Sequence, residues 1–244
     1  MKHILSIENL EKYYGKKHVV KQISFSMESG QIIGLLGPNG AGKTTTFYII
    51  VGFIKANKGK IFLDEKDITP LAMHKRAKAG LSYLPQDASI FRKLTVENNI
   101  KLVIQNRDDL SEKDQNDLLE KLLEEFGLTQ IRKQLGYTLS GGERRRTEIA
   151  RALATSPHFL LLDEPFAGID PKAVSDIKIL IKELSKKGIG ILLTDHNVRD
   201  TLSITDCSYI INNGALLTSG NKEELIKNQD AKAIYFGSTF EEDY

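Results

Sequence analysis

The chain has 244 residues, of which 41% are hydrophobic and 27% are charged, a composition that excludes fibrous proteins and wholesale disorder. Its 34 basic and 32 acidic residues leave a net charge of +2, too small for a nucleic-acid binder driven by bulk charge. The single cysteine, Cys207, excludes an internal disulfide and favours a reducing compartment. No apolar run approaches the ~20 residues of a membrane-spanning helix, and the first residues lack the pattern of a signal peptide. We therefore expect a cytoplasmic chain, which another protein would have to hold at a membrane.

Apolar segments predict the strands. The beginning of the chain is typical of short antiparallel strands, because apolar residues alternate with serines from Ile23 to Met27. Three continuous apolar runs, at 31–36, 159–162 and 189–193, suit central parallel strands that are covered on both faces.

Two stretches of the middle of the chain predict helices. Ser111 is a candidate N-cap and Gly127 a candidate stop. The apolar residues between them that fall on one helical face are Leu118, Leu119, Leu122, Leu123 and Phe126. A second helix is predicted from Gly142 to about Thr155, because Pro157 prevents its continuation.

The order of these segments predicts an α/β fold with a parallel core, an antiparallel β layer and an inserted helical subdomain. Asn213 and Gly214 lie between two apolar runs, which is the pattern of a β-hairpin. We expect one domain over 1–244, with the core and antiparallel layer at about 1–86 and 157–240 and the helical subdomain at about 87–156.

A glycine-rich stretch follows the first continuous apolar run. It reads Gly37-Pro38-Asn39-Gly40-Ala41-Gly42-Lys43-Thr44 and fits the pattern G-x-x-x-x-G-K-[ST]. Glycines let backbone N–H groups approach phosphate oxygens, and the following helix presents its N-terminus to the anion. Lys43 is expected between the β- and γ-phosphates, and the Thr44 hydroxyl is expected on Mg²⁺. The sequence therefore predicts a nucleoside triphosphate site.

Two carboxylates end the second continuous apolar run. Asp163 is predicted to bind Mg²⁺, through a water molecule, and Glu164 is placed to act as the general base on the attacking water. Pro165 follows directly, so the strand ends there.

A second anion site is predicted at the start of the helix that contains Gly142. Ser140, Gly141 and Gly142 place a hydroxyl and two residues without side chains at a helix N-terminus. One chain does not need two γ-phosphate sites. Two chains that face each other head to tail would use both anion sites, with the glycine-rich phosphate loop (the P-loop, residues 37–44) of one chain opposite the serine and glycines of the other.

These motifs resemble those of the ABC transporter ATPases, over nearly the whole chain. Leu139-Ser140-Gly141-Gly142-Glu143 is similar to the family's signature, and Gln86, Ala167-Gly168-Ile169-Asp170 and His196 stand where the Q-loop, D-loop and switch histidine occur. The resemblance implies a RecA-like P-loop NTPase core with an antiparallel β subdomain and an inserted α-helical subdomain. It also implies that Tyr14 stacks on adenine, with the adjacent Tyr13 as the alternative.

The resemblance implies roles for the remaining residues. Lys43, Thr44 and Thr45 would grip the phosphates, and Gln86 would contact Mg²⁺ and the γ-phosphate. Glu164 would activate water, while His196 would contact the γ-phosphate and steady the transition state. The implied ligands are ATP and Mg²⁺, and the implied assembly is a homodimer whose two sites are completed by Ser140, Gly141 and Gly142 of the facing chain.

Several stretches more specifically resemble the ATP-binding subunits of lipopolysaccharide export systems. They lie at 42–48, 85–92, 141–146, 164–171 and 194–199. The resemblance implies a Gram-negative source and a homodimer on the cytoplasmic face of the inner membrane, beneath two membrane subunits that dock near residues 86–94. The dimer would not contact the transported lipid.

Three other functions stay open at this point. A branched-chain amino acid type importer has similar motifs. A soluble ABC protein of DNA repair or translation is less compatible, because this chain has a single cassette. A scaffold that binds nucleotide without turnover conflicts with the intact Glu164 and His196.

Two further groups of residues allow simple predictions. Arg144, Arg145 and Arg146 lie beside acidic residues, which indicates a solvated helix face with local ion pairs and no nucleic-acid partner. Phe91, followed by two basic residues, has the composition of an aromatic anchor for the membrane subunits. For the nearby Ile90 and Leu94, docking and packing inside the helical subdomain are equally compatible with the sequence.

Overall fold

The structure is a computed structural model that describes residues 2–236. Met1 and residues 237–244, which include the predicted end of the core segment at about 240, lie outside the described residues. Within residues 2–236, no helix is both long enough and apolar enough to span a bilayer.

Four strands form an antiparallel sheet in the order β2-β1-β4-β5. They are β1 (Ile4–Tyr14), β2 (Lys17–Glu28), β4 (Lys58–Leu63) and β5 (Lys66–Asp67). The expectation of short strands is wrong, because β1 and β2 have 11 and 12 residues. The register of this pair shifts at three points between Ile7 and Tyr13, and each irregularity interrupts the alternation of apolar residues without ending the strand.

Six strands form the second sheet in the order β10-β9-β3-β8-β7-β6. They are β3 (Ile32–Leu36), β6 (Leu81–Leu84), β7 (Phe159–Asp163), β8 (Gly190–Thr194), β9 (Cys207–Asn212) and β10 (Ala215–Gly220). The strands from β9 to β6 are parallel, and every residue of β3, β7 and β8 is buried, as the continuous apolar runs predict. The predicted hairpin is confirmed, with Asn213 and Gly214 both at positive φ between the antiparallel β9 and β10.

Helices cover the parallel sheet. Those of nine or more residues are α1 (Lys43–Val51), α3 (Val96–Ile104), α4 (Glu112–Glu125), α5 (Gly141–Leu153) and α6 (Pro171–Lys186). The shorter ones are α2 (Met73–Lys78), α7 (Val198–Leu202), α8 (Lys222–Lys227) and α9 (Gln229–Ala231). The two predicted helices are confirmed as α4, which Ser111 caps as expected, and α5, which starts one residue before the predicted Gly142.

The core has two main parts, one on each face of the parallel sheet. One face packs against α3 to α6, and the other packs against α1 and the antiparallel sheet. Because β3, β7 and β8 run in the same direction, their carboxyl ends meet at one edge of the sheet. Loops that follow these strands therefore converge there, at the usual ligand position of an open α/β sheet.

Candidate functional site

The glycine-rich loop joins β3 to α1. Gly37, Gly40 and Gly42 have φ of 148°, 77° and 104°, a region that L side chains rarely adopt. A Cβ atom on Gly37 would also collide with the carbonyl oxygen of Ile211, and one on Gly42 would lie 2.8 Å from that of Val19. The loop can therefore keep this path only with glycine at these two positions.

Lys43 lies inside the curve of the loop. Its side-chain Nζ donates to the carbonyl oxygens of Gly37 at 2.6 Å and Pro38 at 3.1 Å. Burial lowers the pKa of Lys43, while the charges of Glu164 and Asp163 oppose that shift. The ammonium group is thus held where a phosphate on the loop would meet it.

Asp163, the last residue of β7, is 2% exposed. The Tyr83 hydroxyl donates to its Oδ2 at 3.2 Å, whereas Oδ1 is buried and has no hydrogen-bond partner among the described residues. Burial is the main reason that the pKa of Asp163 is raised. An unpaired, buried carboxylate oxygen suits Mg²⁺, which prefers oxygen ligands, and the exposed Thr44 offers a hydroxyl in the cleft, so the residues present fit this ion.

Glu164 is held between side chains from the two neighbouring strands. Its Oε1 lies 2.7 Å from Nε2 of His196, which follows β8, and its Oε2 accepts a 2.7 Å hydrogen bond from Nε2 of Gln86, which follows β6. Its backbone has φ of 47°, and its N–H donates to the carbonyl oxygen of Thr194. A strained backbone that fixes a carboxylate in a cleft indicates a functional position.

A cleft of about 440 Å³ opens beside the glycine-rich loop. Gln86, Glu164 and His196 line it together with Lys17 and Val19 of β2. The predicted loop residues that line it are Asn39, Gly40, Ala41, Gly42, Lys43, Thr44 and Thr45. Lys17 and Val19 are not among the residues predicted from the sequence, where the one signal for Lys17 is a basic residue beside a hairpin turn.

Tyr13 and Tyr14 lie on opposite faces of the β1–β2 hairpin, because side chains alternate along a strand. Tyr14 pairs with Lys17 and Tyr13 pairs with His18. Directly paired side chains share a face, so Tyr14 is on the face of the cleft-lining Lys17. The Tyr14 side chain is 51% exposed, and the Lys12 ammonium lies 5.4 Å from its ring centroid.

Ser140, Gly141 and Gly142 are absent from the described residues that line this cleft. The Ser140 hydroxyl accepts from the Glu143 N–H and donates to the Glu143 carboxylate, in a capping box at the start of α5. A Cβ atom on Gly142 would lie 2.8 Å from Cβ of Ala173, so this end of α5 packs closely on α6. The structure therefore does not bring these residues to the P-loop of their own chain.

The prediction of a solvated arginine face is wrong for Arg145, which is 6% exposed. Its guanidinium donates to the backbone carbonyls of Asp163, Glu164, Pro165 and Pro85 and also contacts the buried Glu148 at 3.4 Å. The carboxylate of Glu148 accepts from the backbone N–H groups of Ser89 and Ile90. A buried charge can persist only when it is paired and hydrogen-bonded, and here the pair ties α5 to both loops of the cleft.

Comparison with known families gives the class of the protein. A family model described as ABC transporter matches residues 20–167. The chain therefore belongs to the ABC transporter family, in its ATP-hydrolysing part, and the predicted α/β P-loop NTPase fold is confirmed.

Individual relatives are named for a more specific function than the family as a whole. The lipopolysaccharide export system ATP-binding protein LptB of Haemophilus influenzae is 51% identical over 237 residues, which are 97% of this chain and 98% of that protein. LptB of Escherichia coli strain K12 is 50% identical over 236 residues, with coverage of 97% and 98%. Among solved structures, the ADP conformation of the ATP-binding cassette MJ1267 matches with a TM-score of 0.85 and 30% identity, over 97% of this chain and 99% of that one.

Proposed function

We propose that this chain is the ATP-hydrolysing subunit that powers extraction of lipopolysaccharide from the inner membrane for export to the outer membrane. The transported substrate is inferred from relatives named for lipopolysaccharide export, which match at about half identity over almost the whole length. These names do not favour the alternative of a branched-chain amino acid importer. The observation that supports hydrolysis is the Glu164 carboxylate, fixed between Gln86 and His196 at the P-loop cleft.

The P-loop binds the phosphates in this proposal. Its N–H groups and Lys43, with Thr44 and Thr45, surround the anion, and Lys43 exchanges its carbonyl partners for phosphate oxygens. Thr44, Asp163 and Gln86 would hold Mg²⁺, which supplies positive charge to the phosphate oxygens. Tyr14 provides the face on which adenine stacks, since its ring is exposed beside Lys17.

Glu164 takes the proton of the water that attacks the γ-phosphate, so that ATP and water give ADP and phosphate. His196 contacts the γ-phosphate and steadies the charge of the transition state. Because Gln86 and His196 each hold one oxygen of Glu164, the base has a defined position before nucleotide enters.

A homodimer would complete each ATP site. Ser140, Gly141 and Gly142 stand at a helix N-terminus outside the cleft of their own chain, so they can face the γ-phosphate bound by the other chain. The Ser140 hydroxyl is free to exchange its Glu143 partner for a phosphate oxygen, since both contacts lie at the exposed helix end.

Two integral membrane subunits would dock where the core meets the helices, near residues 86–94, and hold the chain on the cytoplasmic face of the inner membrane. A groove of about 330 Å³ opens there, and Phe53, Met73, Ser89 and Arg151 are among the residues that line it. Phe91 is 49% exposed, with the Arg151 guanidinium 5.2 Å from its ring centroid. Ile90 is 8% exposed and belongs to the helical core, so its side chain is assigned to packing.

The experiment is purification of the tagged chain from its native membranes in mild detergent. We expect two membrane subunits to copurify, and the complex in proteoliposomes to release lipopolysaccharide with ATP and not with ATP plus vanadate. Copurification with an amino acid permease, or release that does not depend on ATP, would contradict the proposal.

A further inference from the structure

Three side chains form a cluster on the face of the β1–β2 hairpin that is opposite Tyr14. The Tyr13 and His18 rings stack with centroids 3.9 Å apart and an interplanar angle of 13°. The Tyr13 hydroxyl donates to Oε2 of Glu11 at 3.1 Å, and Nε2 of His18 lies 3.6 Å from the same oxygen. The cluster therefore links both strands immediately beside the turn.

Glu11 is the buried centre of this cluster, with 5% exposure. Burial raises the pKa of Glu11, but hydrogen bonds from Tyr13 and Gln22 and the charge of Lys58 outweigh it, so the net pKa lies below the ordinary value. The carboxylate is thus ionised at neutral pH. A hydroxyl that donates to an ionised acceptor is held more tightly than one in a neutral pair.

The backbone at Tyr13 is also fastened to the loop before β4. The Tyr13 N–H donates to Oδ1 of Asn57 at 2.9 Å, and the Asn57 N–H donates to the Glu11 carbonyl oxygen at 2.8 Å. On the Tyr14 face, Lys12 donates to the carbonyl oxygen of Lys55 at 2.6 Å while its ammonium lies near the Tyr14 ring. Both faces of the hairpin are therefore anchored within a few residues of Tyr14.

We propose that Glu11, Tyr13 and His18 are positioning residues that fix the hairpin tip so that the Tyr14 ring is preorganised for adenine. Neither these three residues nor Tyr14 is among the described residues lining the cleft, but Tyr14 shares a face with the cleft-lining Lys17 while the three lie on the opposite face. They therefore act through Tyr14 and not on the nucleotide. Alternation along β1 gives the reason, because a side chain locked on one face fixes where its neighbour emerges on the other. A ring already ordered loses less conformational freedom when adenine binds. The inference rests on the proposed role of Tyr14.

The test is a double-mutant cycle on the full chain, with affinity measured by calorimetry for ADP and for inorganic tripolyphosphate, which has no base. We expect His18→Ala to weaken ADP binding about fivefold, near the lower end of what a base–aromatic stack contributes. Binding of tripolyphosphate should change by less than about twofold, since the P-loop is untouched. In a Tyr14→Ala background, His18→Ala should have no further effect on ADP.

Two milder variants keep the test informative if His18→Ala unfolds. Tyr13→Phe removes only the hydroxyl, and Glu11→Gln keeps an acceptor without its charge, so each should weaken ADP binding less than His18→Ala. His74→Ala, at an exposed histidine of α2, is the matched control and should be neutral.

Each opposite result overturns the inference. An equal loss with and without Tyr14, or a parallel loss for tripolyphosphate, assigns the cluster to general stability. If ADP affinity is unchanged in His18→Ala but weakened in Tyr14→Ala, Tyr14 still stacks on adenine and the cluster has no positioning role. If Tyr14→Ala itself binds ADP normally, Tyr14 does not stack on adenine and the inference fails with it. The assignment as an ATPase is unaffected, because it rests on Glu164 and the P-loop.

Discussion

The carboxylate of Glu164 and the imidazole of His196 meet at 2.7 Å across the carboxyl ends of two adjacent parallel strands. Neither residue needs a moving loop to reach the other, because β7 and β8 pair directly up to Asp163 and Thr194. The position of the proposed base is therefore set by the sheet itself.

Replacing that base should separate binding from hydrolysis. Glu164→Gln is expected to keep nucleotide affinity and to lower ATP turnover by about 100-fold or more, because the amide preserves the shape and cannot accept the proton. With ATP it should also accumulate as a dimer, since both sites stay filled. Phosphate release and light scattering measure the two effects, with Glu223→Gln on exposed α8 as the control. Turnover near that of wild type would refute the assigned role.

The composite site predicts rescue between two inactive chains. Lys43→Ala damages the phosphate cradle and Ser140→Arg blocks the facing helix end, so each homodimer has two defective sites. In mixed dimers both lesions fall in one site and the other site is intact. We expect a mixture to recover measurable ATPase activity, and mixtures as inactive as the separate variants would argue against action in trans.

Phe91 and Ile90 should respond differently to truncation. Phe91→Ala is expected to weaken docking to the membrane subunits by about 2 kcal/mol or more while the melting temperature and soluble ATPase rate stay unchanged. Ile90→Ala is expected to lower the free energy of unfolding by about 2–5 kcal/mol, because its side chain is buried in the helical core. Copurification and thermal unfolding distinguish the two. A large loss of stability in Phe91→Ala would show that this ring packs rather than docks.

The buried Arg145–Glu148 pair predicts a compensating double variant. Arg145→Met should lower the free energy of unfolding by about 3–5 kcal/mol, because it leaves the Glu148 charge buried without its partner. Arg145→Met with Glu148→Leu should recover part of this loss, since no unpaired charge remains. Denaturant titration measures both. A single variant as stable as the wild type would mean that water reaches Glu148.

A cluster of His3, Asp64 and His158 predicts acid sensitivity. The two histidine rings stack 3.7 Å apart, and Nδ1 of His3 lies 2.8 Å from Oδ2 of Asp64. Burial, with the nearby His3, lowers the pKa of His158, and the bond from His3 is the main cause of the lowered pKa of Asp64. The unfolded state therefore binds more protons than the folded state at these two groups.

The sign of the pH dependence follows from these directions. His158 contributes fully to the free energy of unfolding above its unfolded pKa of about 6.5, and this contribution is lost as the pH falls through the lower pKa of the folded state. The contribution of Asp64 to the free energy of unfolding is lost below about pH 4. We expect the unfolding free energy to decrease between about pH 7 and pH 5, and to decrease less in His158→Phe, which keeps a ring against His3. His74→Phe, at an exposed position, should leave the wild-type slope unchanged. An identical slope in His158→Phe would contradict the assignment.

The features that the sequence predicts well are those determined by residues that are close together in the chain. Contiguous sequence patterns mark the P-loop glycines, the buried strands and the carboxylates at the end of β7. Each pattern can be interpreted without knowing which distant segments pack against it. The start of α5 at Ser140 is also local, because a serine followed by two glycines is a signal of a helix N-terminus.

The features that the sequence misses depend on distant partners. Arg145 resembles an exposed helix residue until β7 and the loop after β6 supply carbonyl oxygens for it. Lys17 joins the cleft because the antiparallel sheet packs beside the P-loop, and the lengths of β1 and β2 are hidden by their register shifts. The division of the chain at about 87 and 156 into core and helical subdomain stays a prediction.

The strand order also determines when the nucleotide site can first exist during synthesis. Among the described strands, the P-loop strand β3 pairs with β8 and β9 alone, and their residues leave the ribosome after most of the chain has been made. Until then β3 has no partner strand on either edge, and its five residues, which are all buried in the folded protein, have no sheet to join. ATP therefore cannot stabilise an early folding stage of this chain, and a nascent chain that stops before residue 190 exposes an unpaired, aggregation-prone strand.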